Sequence, residues 1–186
     1  MTPQLDLLIV ELGAVRARAH RLADDVDERT WRQRPPGSGW AMAECLIHLN
    51  ITAREMLPRL RAAIASGRRD GVTGEGPFRP GVVGGLLRWF LEPPYRVRTT
   101  TAASFNPASA QPKAEVMAEF DARHDAVITC IHDADGLDLS RLKIISPFDA
   151  RVRYNLYAAF RIIAAHDRRH VWQAERAKAH AASTMD

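Results

Sequence analysis

The sequence predicts an all-α fold: a four-helix bundle of up-down-down-up order with a long crossover between helices two and three. Three observations support it. Apolar residues recur at three- and four-residue steps in four long segments. Ala and Arg are plentiful while Tyr, Thr and Ile are few, which favours helix over sheet. Between the second and third periodic segments lies a long stretch punctuated by Gly and Pro, and such a connection lets the two helices it joins run parallel.

The first helix starts with Thr2 as N-cap and Pro3 in its first turn. Its stripe is Leu5, Leu8, Ile9, Leu12, Val15, Ala19 and Leu22, and it fades in DDVDE. The link ERTWRQRPPGSG is rich in turn formers, with Ser38 a candidate cap for the next helix. Helix two is expected from about Trp40 to Ala65, striped by Met42, Leu46, Leu49, Ala53, Met56 and Leu60, with Pro58 expected to kink or end it. From Gly67 to about Gln111 periodicity is lost, except for a short apolar helix in LLRWFLE before Pro93 and Pro94. A long aperiodic segment of this kind signals a crossover, lid or binding element. Helix three is expected from Pro112 to His132, carrying Val116, Met117, Phe120, Val127, Ile128 and Ile131 inward. A turn-rich piece with Gly136 and Pro147 leads to helix four, expected from about Arg151 to His180 and striped by Leu156, Ala159, Phe160 and Ile163.

The length of 186 residues suits one domain, 1–186, with a core of its own. Hydrophobic residues at 46% and charged residues at 26% are ordinary for a soluble globular protein. The net charge of +4 comes from scattered arginines, without the basic run and interleaved aromatics that track a phosphate backbone, so nucleic-acid binding is not expected. The LLIV run is too short for a leader or a membrane span. Cys45 and Cys130 fall in helical apolar patterns, as buried reduced thiols do, and a cytoplasmic location is expected.

The candidate site is in IIAAHDRRHVWQAE. His166 and His170 are four apart and continue the stripe through Ile163, so both rings face inward from one helix. In AMAECLIHLN, Met42, Cys45 and His48 step by three, which puts His48 at the core edge. With a rise of about 1.5 Å per residue, His48 lies roughly 12 Å below the start of its helix. If helix four runs the opposite way, His166 and His170 lie roughly 15–20 Å below the same end. One cation is then within reach of all three imidazoles, a set that leaves a coordination position open. An inward His pair can also be a coincidence of the stripe. His124 is on the inner face of helix three, either a helper (added ligand, substrate contact or proton shuttle) or a hydrogen-bonded histidine at the core edge. His20, His132 and His180 read as solvated.

The chain resembles the DinB/YfiT-like superfamily of small metal-binding helical bundles. Trp40 followed by ECLIHL and ending in His48 carries the likeness, as does the closing HDRRHVWQ with His166, Arg169, His170 and Gln173. Trp31, Arg34 and Pro35, and Phe105-Asn106-Pro107 in the crossover, belong to the same pattern. The resemblance implies an up-down-down-up bundle, a divalent metal (commonly zinc or nickel) on His48, His166 and His170, and frequent homodimers. It leaves the reaction open, since members include thiol-dependent transferases and isomerases.

Three neutral imidazoles leave the ion's charge uncompensated, so a water or a thiol in the open position would deprotonate near neutral pH. The expectation is a metal-dependent hydrolase or low-molecular-weight-thiol transferase acting on a small molecule. The alternative is a non-catalytic metal or small-ligand binding module or a stress-related dimerisation module. Glu44, one turn before His48, and Gln173, three after His170, are candidates for fixing the ring tautomers, or else solvated surface residues. Arg169 is expected at the surface or in an inter-helix ion pair. Trp89, Phe90 and Arg96 either cover the pocket or pack the core. A closed shell, with His124 or Cys45 as fourth ligand, would favour the non-catalytic alternative.

Overall fold

The computed structural model describes residues 1–37, 39–94, 105–107 and 111–182. Among these, the regular elements are helices and one small sheet: α1 (Pro3–Asp24), α2 (Glu28–Arg32), α3 (Met42–Arg69), α4 (Gly81–Leu91), α5 (Lys113–Asp133), β1 (Lys143–Ile145), β2 (Arg153–Asn155) and α6 (Leu156–Ala182). The four long helices expected from the apolar periodicity are present, with boundaries shifted by local chemistry.

Side-chain contacts fix how the helices lie. Gln4 meets Tyr157, Glu11 meets Arg168 and Arg18 meets Glu175, so α1 and α6 advance side by side in the same direction. Asn50 donates to the Val116 carbonyl and Arg68 to that of Asp133, so α3 and α5 also share a direction. Arg16 with Asp121 and Thr2 with Asp135 set α1 against α5 in the opposite sense.

Four features depart from the sequence expectations. The link after α1 contains α2, capped by Asp27, whose carboxylate accepts from the Thr30 N–H, and anchored by the fully buried Trp31. Helix α3 begins at Met42, not Trp40: the Glu44 carboxylate accepts from the Ala41 N–H and pairs with Arg34, which fixes the first turn and leaves Trp40 outside the helix. The expected cap Ser38 lies outside the described residues. Pro58 neither ends nor shortens α3, which runs to Arg69. The proline and Arg54, whose carbonyl loses its partner, both face solvent, so water can satisfy that oxygen. Finally, α6 starts at Leu156 because the preceding residues pair as a hairpin, Lys143 opposite Asn155 and Ile145 opposite Arg153. The Asn155 side-chain amide oxygen Oδ1 then caps α6 by accepting from the Ala158 N–H.

The short helix foreseen before Pro93 is longer than expected, spanning Gly81–Leu91, and lies on α6. Gly84 allows this approach, since a Cβ there would collide with that of Ala158. Arg168 locks the arrangement by pairing with both Glu11 and Glu92.

The apolar interior falls into two clusters. One gathers Leu5, Leu8, Leu12, Leu60, Val127 and Phe160, the other Val15, Trp31, Leu46, Phe120 and Val171. Between them runs a layer of buried polar groups: His48, Asn50 and Thr52 from α3, His124 from α5, and Asp167, Arg169 and His170 from α6. Burying polar side chains costs free energy unless they are partnered, so this layer is where the sequence sacrifices stability.

Candidate metal centre

The three histidines singled out in the sequence converge in this polar layer. One ring nitrogen from each of His48, His166 and His170 lies within 4.8 Å of the others. His48 Nε2 is 3.3 Å from His166 Nε2, and the ring centroid of His170 is 4.5 Å from those of both other rings. His48 and His170 are buried, while His166 is partly buried and borders a cavity.

Local structure aims each ring. His48 Nδ1 lies 2.8 Å from the Phe105 carbonyl oxygen. A carbonyl only accepts, so Nδ1 carries the proton and Nε2 turns its lone pair toward the other rings. The crossover therefore sets the tautomer of an α3 side chain. Trp40, left outside the helix by the late start of α3, stacks on His170 with centroids 5.7 Å apart and planes at 21°, and its ring centroid lies 4.9 Å from that of His48. Phe148 stands 6.1 Å from His166 on the other side.

Electrostatics keep the rings neutral. Burial lowers the pKa of His48 below the usual histidine value, partly opposed by its bond to Phe105 and by the Asp167 carboxylate. Burial pushes His166 and His170 well below it, and neighbouring rings and Arg169 act in the same direction. Neutral imidazole is the form that ligates a cation. Gln173 favours a charged His170, yet His170 Nδ1 and Gln173 Oε1 are both buried without a well-formed hydrogen bond. Three ring nitrogens within 4.8 Å of one another, with neutral imidazole favoured at each, suit a bound cation.

The other sequence candidates separate. Glu44 serves the α3 N-terminus and Arg34 and makes no bond to a histidine ring among the described residues. His124 is buried but outside the trio. Its Nδ1 is 3.2 Å from the Phe120 carbonyl oxygen and its Nε2 3.3 Å from Asp167 Oδ2. Cys45 is fully buried and outside the trio too, and burial holds its thiol far above the usual value. Among the described residues no fourth His, Cys or carboxylate completes a closed shell with the three rings. Arg169, expected at the surface or in an inter-helix ion pair, is buried and donates to the Phe90 carbonyl at 3.2 Å. That contact ties α6 to α4. Phe90 thus packs against α6, Trp89 is exposed, and Arg96 lies outside the described residues. His132 and His180 are exposed, whereas His20 pairs with Asp121 at 2.8 Å. Trp40, Phe148 and Asp167 are the neighbours that sequence reasoning did not assign. Trp40 alone had a signal, its place before the His48 segment.

A helical protein whose interior holds a group of three histidines suited to a metal ion is the class that fold and site define. The sequence profile of the DinB superfamily matches residues 11–174, and the chain belongs to that superfamily. No curated protein and no solved structure matches it.

Proposed function

We propose that His48, His166 and His170 hold one divalent metal ion, zinc or nickel, and that the chain is a metal-dependent hydrolase or thiol-dependent transferase acting on a small molecule. The observation that carries this reading is the convergence of three neutral ring nitrogens with no fourth protein donor among the described residues. A divalent ion there would act as a Lewis acid toward a water or thiol in its remaining position. The protein's part is positioning. Phe105 fixes the His48 tautomer, Trp40 packs the outer face of His170, and the partly exposed edge of His166 faces the cavity through which a substrate reaches the site. Helix directions support a single up-down-down-up bundle built from α1, α3, α5 and α6, with α4 part of the crossover. No helix among the described residues is long and apolar enough to cross a membrane. Val82 and Leu86 leave an apolar stripe exposed on α4, a candidate face for a homodimer that sedimentation analysis tests.

Elemental analysis of protein purified without chelators tests the central assignment. One equivalent of metal is expected in the native chain and a large loss in both His166→Ala and His170→Ala. Equal metal in all three preparations would refute it.

A further inference from the structure

A second, smaller cavity shares Asp167 with the one beside His166 and lies among the bundle helices. Asn50, Arg123, His124 and Asp167 border it, with apolar neighbours such as Leu12 and Val127. Its volume of about 10 Å³ admits one water molecule and nothing larger. Two of the bordering residues carry buried atoms that the protein leaves unpaired. Asn50 donates through Nδ2 to the Val116 carbonyl at 3.0 Å, which orients the amide and leaves Oδ1 buried with no partner among the described residues. His124 directs Nδ1 to the Phe120 carbonyl at 3.2 Å. Its Nε2 lies 3.3 Å from Asp167 Oδ2 but is not aligned for a hydrogen bond with it. The Arg123 guanidinium donates to Glu119 at 3.0 Å and reaches neither orphaned atom.

Leaving a buried polar atom unpaired costs free energy. A cavity that fits one water and offers it two or more polar partners is where a protein retains solvent. Water suits both atoms here. It donates to the Asn50 oxygen, and it bonds to Nε2 whether that nitrogen presents a lone pair or an N–H. We propose that this cavity binds one water molecule bridging Asn50 Oδ1 and His124 Nε2, and that the bridge is a positioning element of the metal centre. Asn50 stands two residues after His48 on α3, and the His124 it reaches on α5 lies against Asp167, the residue after His166 on α6. The bridge thus joins the two ligand-bearing helices beside their ligands, through α5. Only this positioning role rests on the proposed function; the water site itself does not.

The test begins with crystals of the full chain, zinc-loaded and chelator-treated. Both are expected to show one solvent peak at hydrogen-bond distance, about 2.7–3.2 Å, from Asn50 Oδ1 and His124 Nε2. A chelator-treated crystal without that peak would overturn the water site. The second reading is zinc affinity, measured by competition with a chromophoric chelator. His124→Phe keeps a ring but no nitrogen, and is expected to lose the peak and bind zinc at least about tenfold more weakly. His124→Gln, whose amide reaches toward the same water, is expected to keep the peak and most of the affinity. A purely structural role would shift the melting temperature without separating the two variants in zinc affinity, and that result would overturn the positioning role. Should His124→Phe fail to fold, Asn50→Leu is expected to show the same two losses from α3. Zinc bound at the three histidines with no solvent peak defeats this inference alone. A peak in a chain that binds no zinc defeats the metal assignment and leaves the water site standing.

Discussion

Acidification of the metal-free protein should cost stability, because the folded state holds three histidines that resist protonation. In the unfolded chain each has a pKa near 6.5, whereas burial lowers all three in the fold. A depressed folded value means that the contribution is complete above the unfolded pKa and is lost as pH falls below it. Between pH 7.5 and 5.5 each ring that stays neutral in the fold forfeits about 1.4 kcal/mol, so the trio forfeits up to about 4 kcal/mol. For a chain of this size that corresponds to a drop of roughly 8–16 °C in melting temperature. Other titrating groups contribute a background, so the comparison is with His166→Asn/His170→Asn, which should lose about 3 kcal/mol less over the same interval. Calorimetric melting in the presence of chelator, at closely spaced pH values, reads both. A native chain no more acid-sensitive than the double variant would refute the reasoning, since those rings would then be charged or exposed.

Trp31→Ala should destabilise the fold by about 3–5 kcal/mol in chemical denaturation, because the indole is fully buried and anchors α2 against α3. A change under 1 kcal/mol would show that α2 is not part of the core. Glu44→Ala should cost about 1 kcal/mol through loss of the α3 cap, with metal stoichiometry unchanged, because its carboxylate contacts Ala41 and Arg34 instead of a ring. Loss of metal in that variant, measured by elemental analysis, would return Glu44 to the site.

The sequence made the long helices readable because each carries an uninterrupted apolar stripe, and helical spacing alone turned His166 and His170 inward. His48 was legible for the same reason, three residues beyond Cys45 on that face. What escaped lies where tertiary contacts override local pattern. ERTWR is too short to carry an apolar stripe, and Asp27 is a cap that a turn would use equally well; Trp31 makes it a helix by packing against α3 and α6. The hairpin before α6 has only short strands, whose worth comes from capping a helix through Asn155. Pro58 reads as a breaker until its exposure is known. Within the site, Trp40 could be read as helix, cap or loop, and only the Glu44 interaction with Ala41 leaves it free to stack on His170. Asp167 was the least visible. As the neighbour of His166 it should point elsewhere, and it does so into the same polar layer from its other side, where His124 meets it.

A crystal grown with zinc and recorded at the zinc absorption edge addresses the metal assignment most directly. The expected result is one anomalous peak bounded by His48 Nε2 and a ring nitrogen from each of His166 and His170, each at about 2.0–2.1 Å, with one further light atom on the cavity side. A zinc-replete crystal with no peak among these rings, or with a fourth protein ligand closing the shell, would contradict the account.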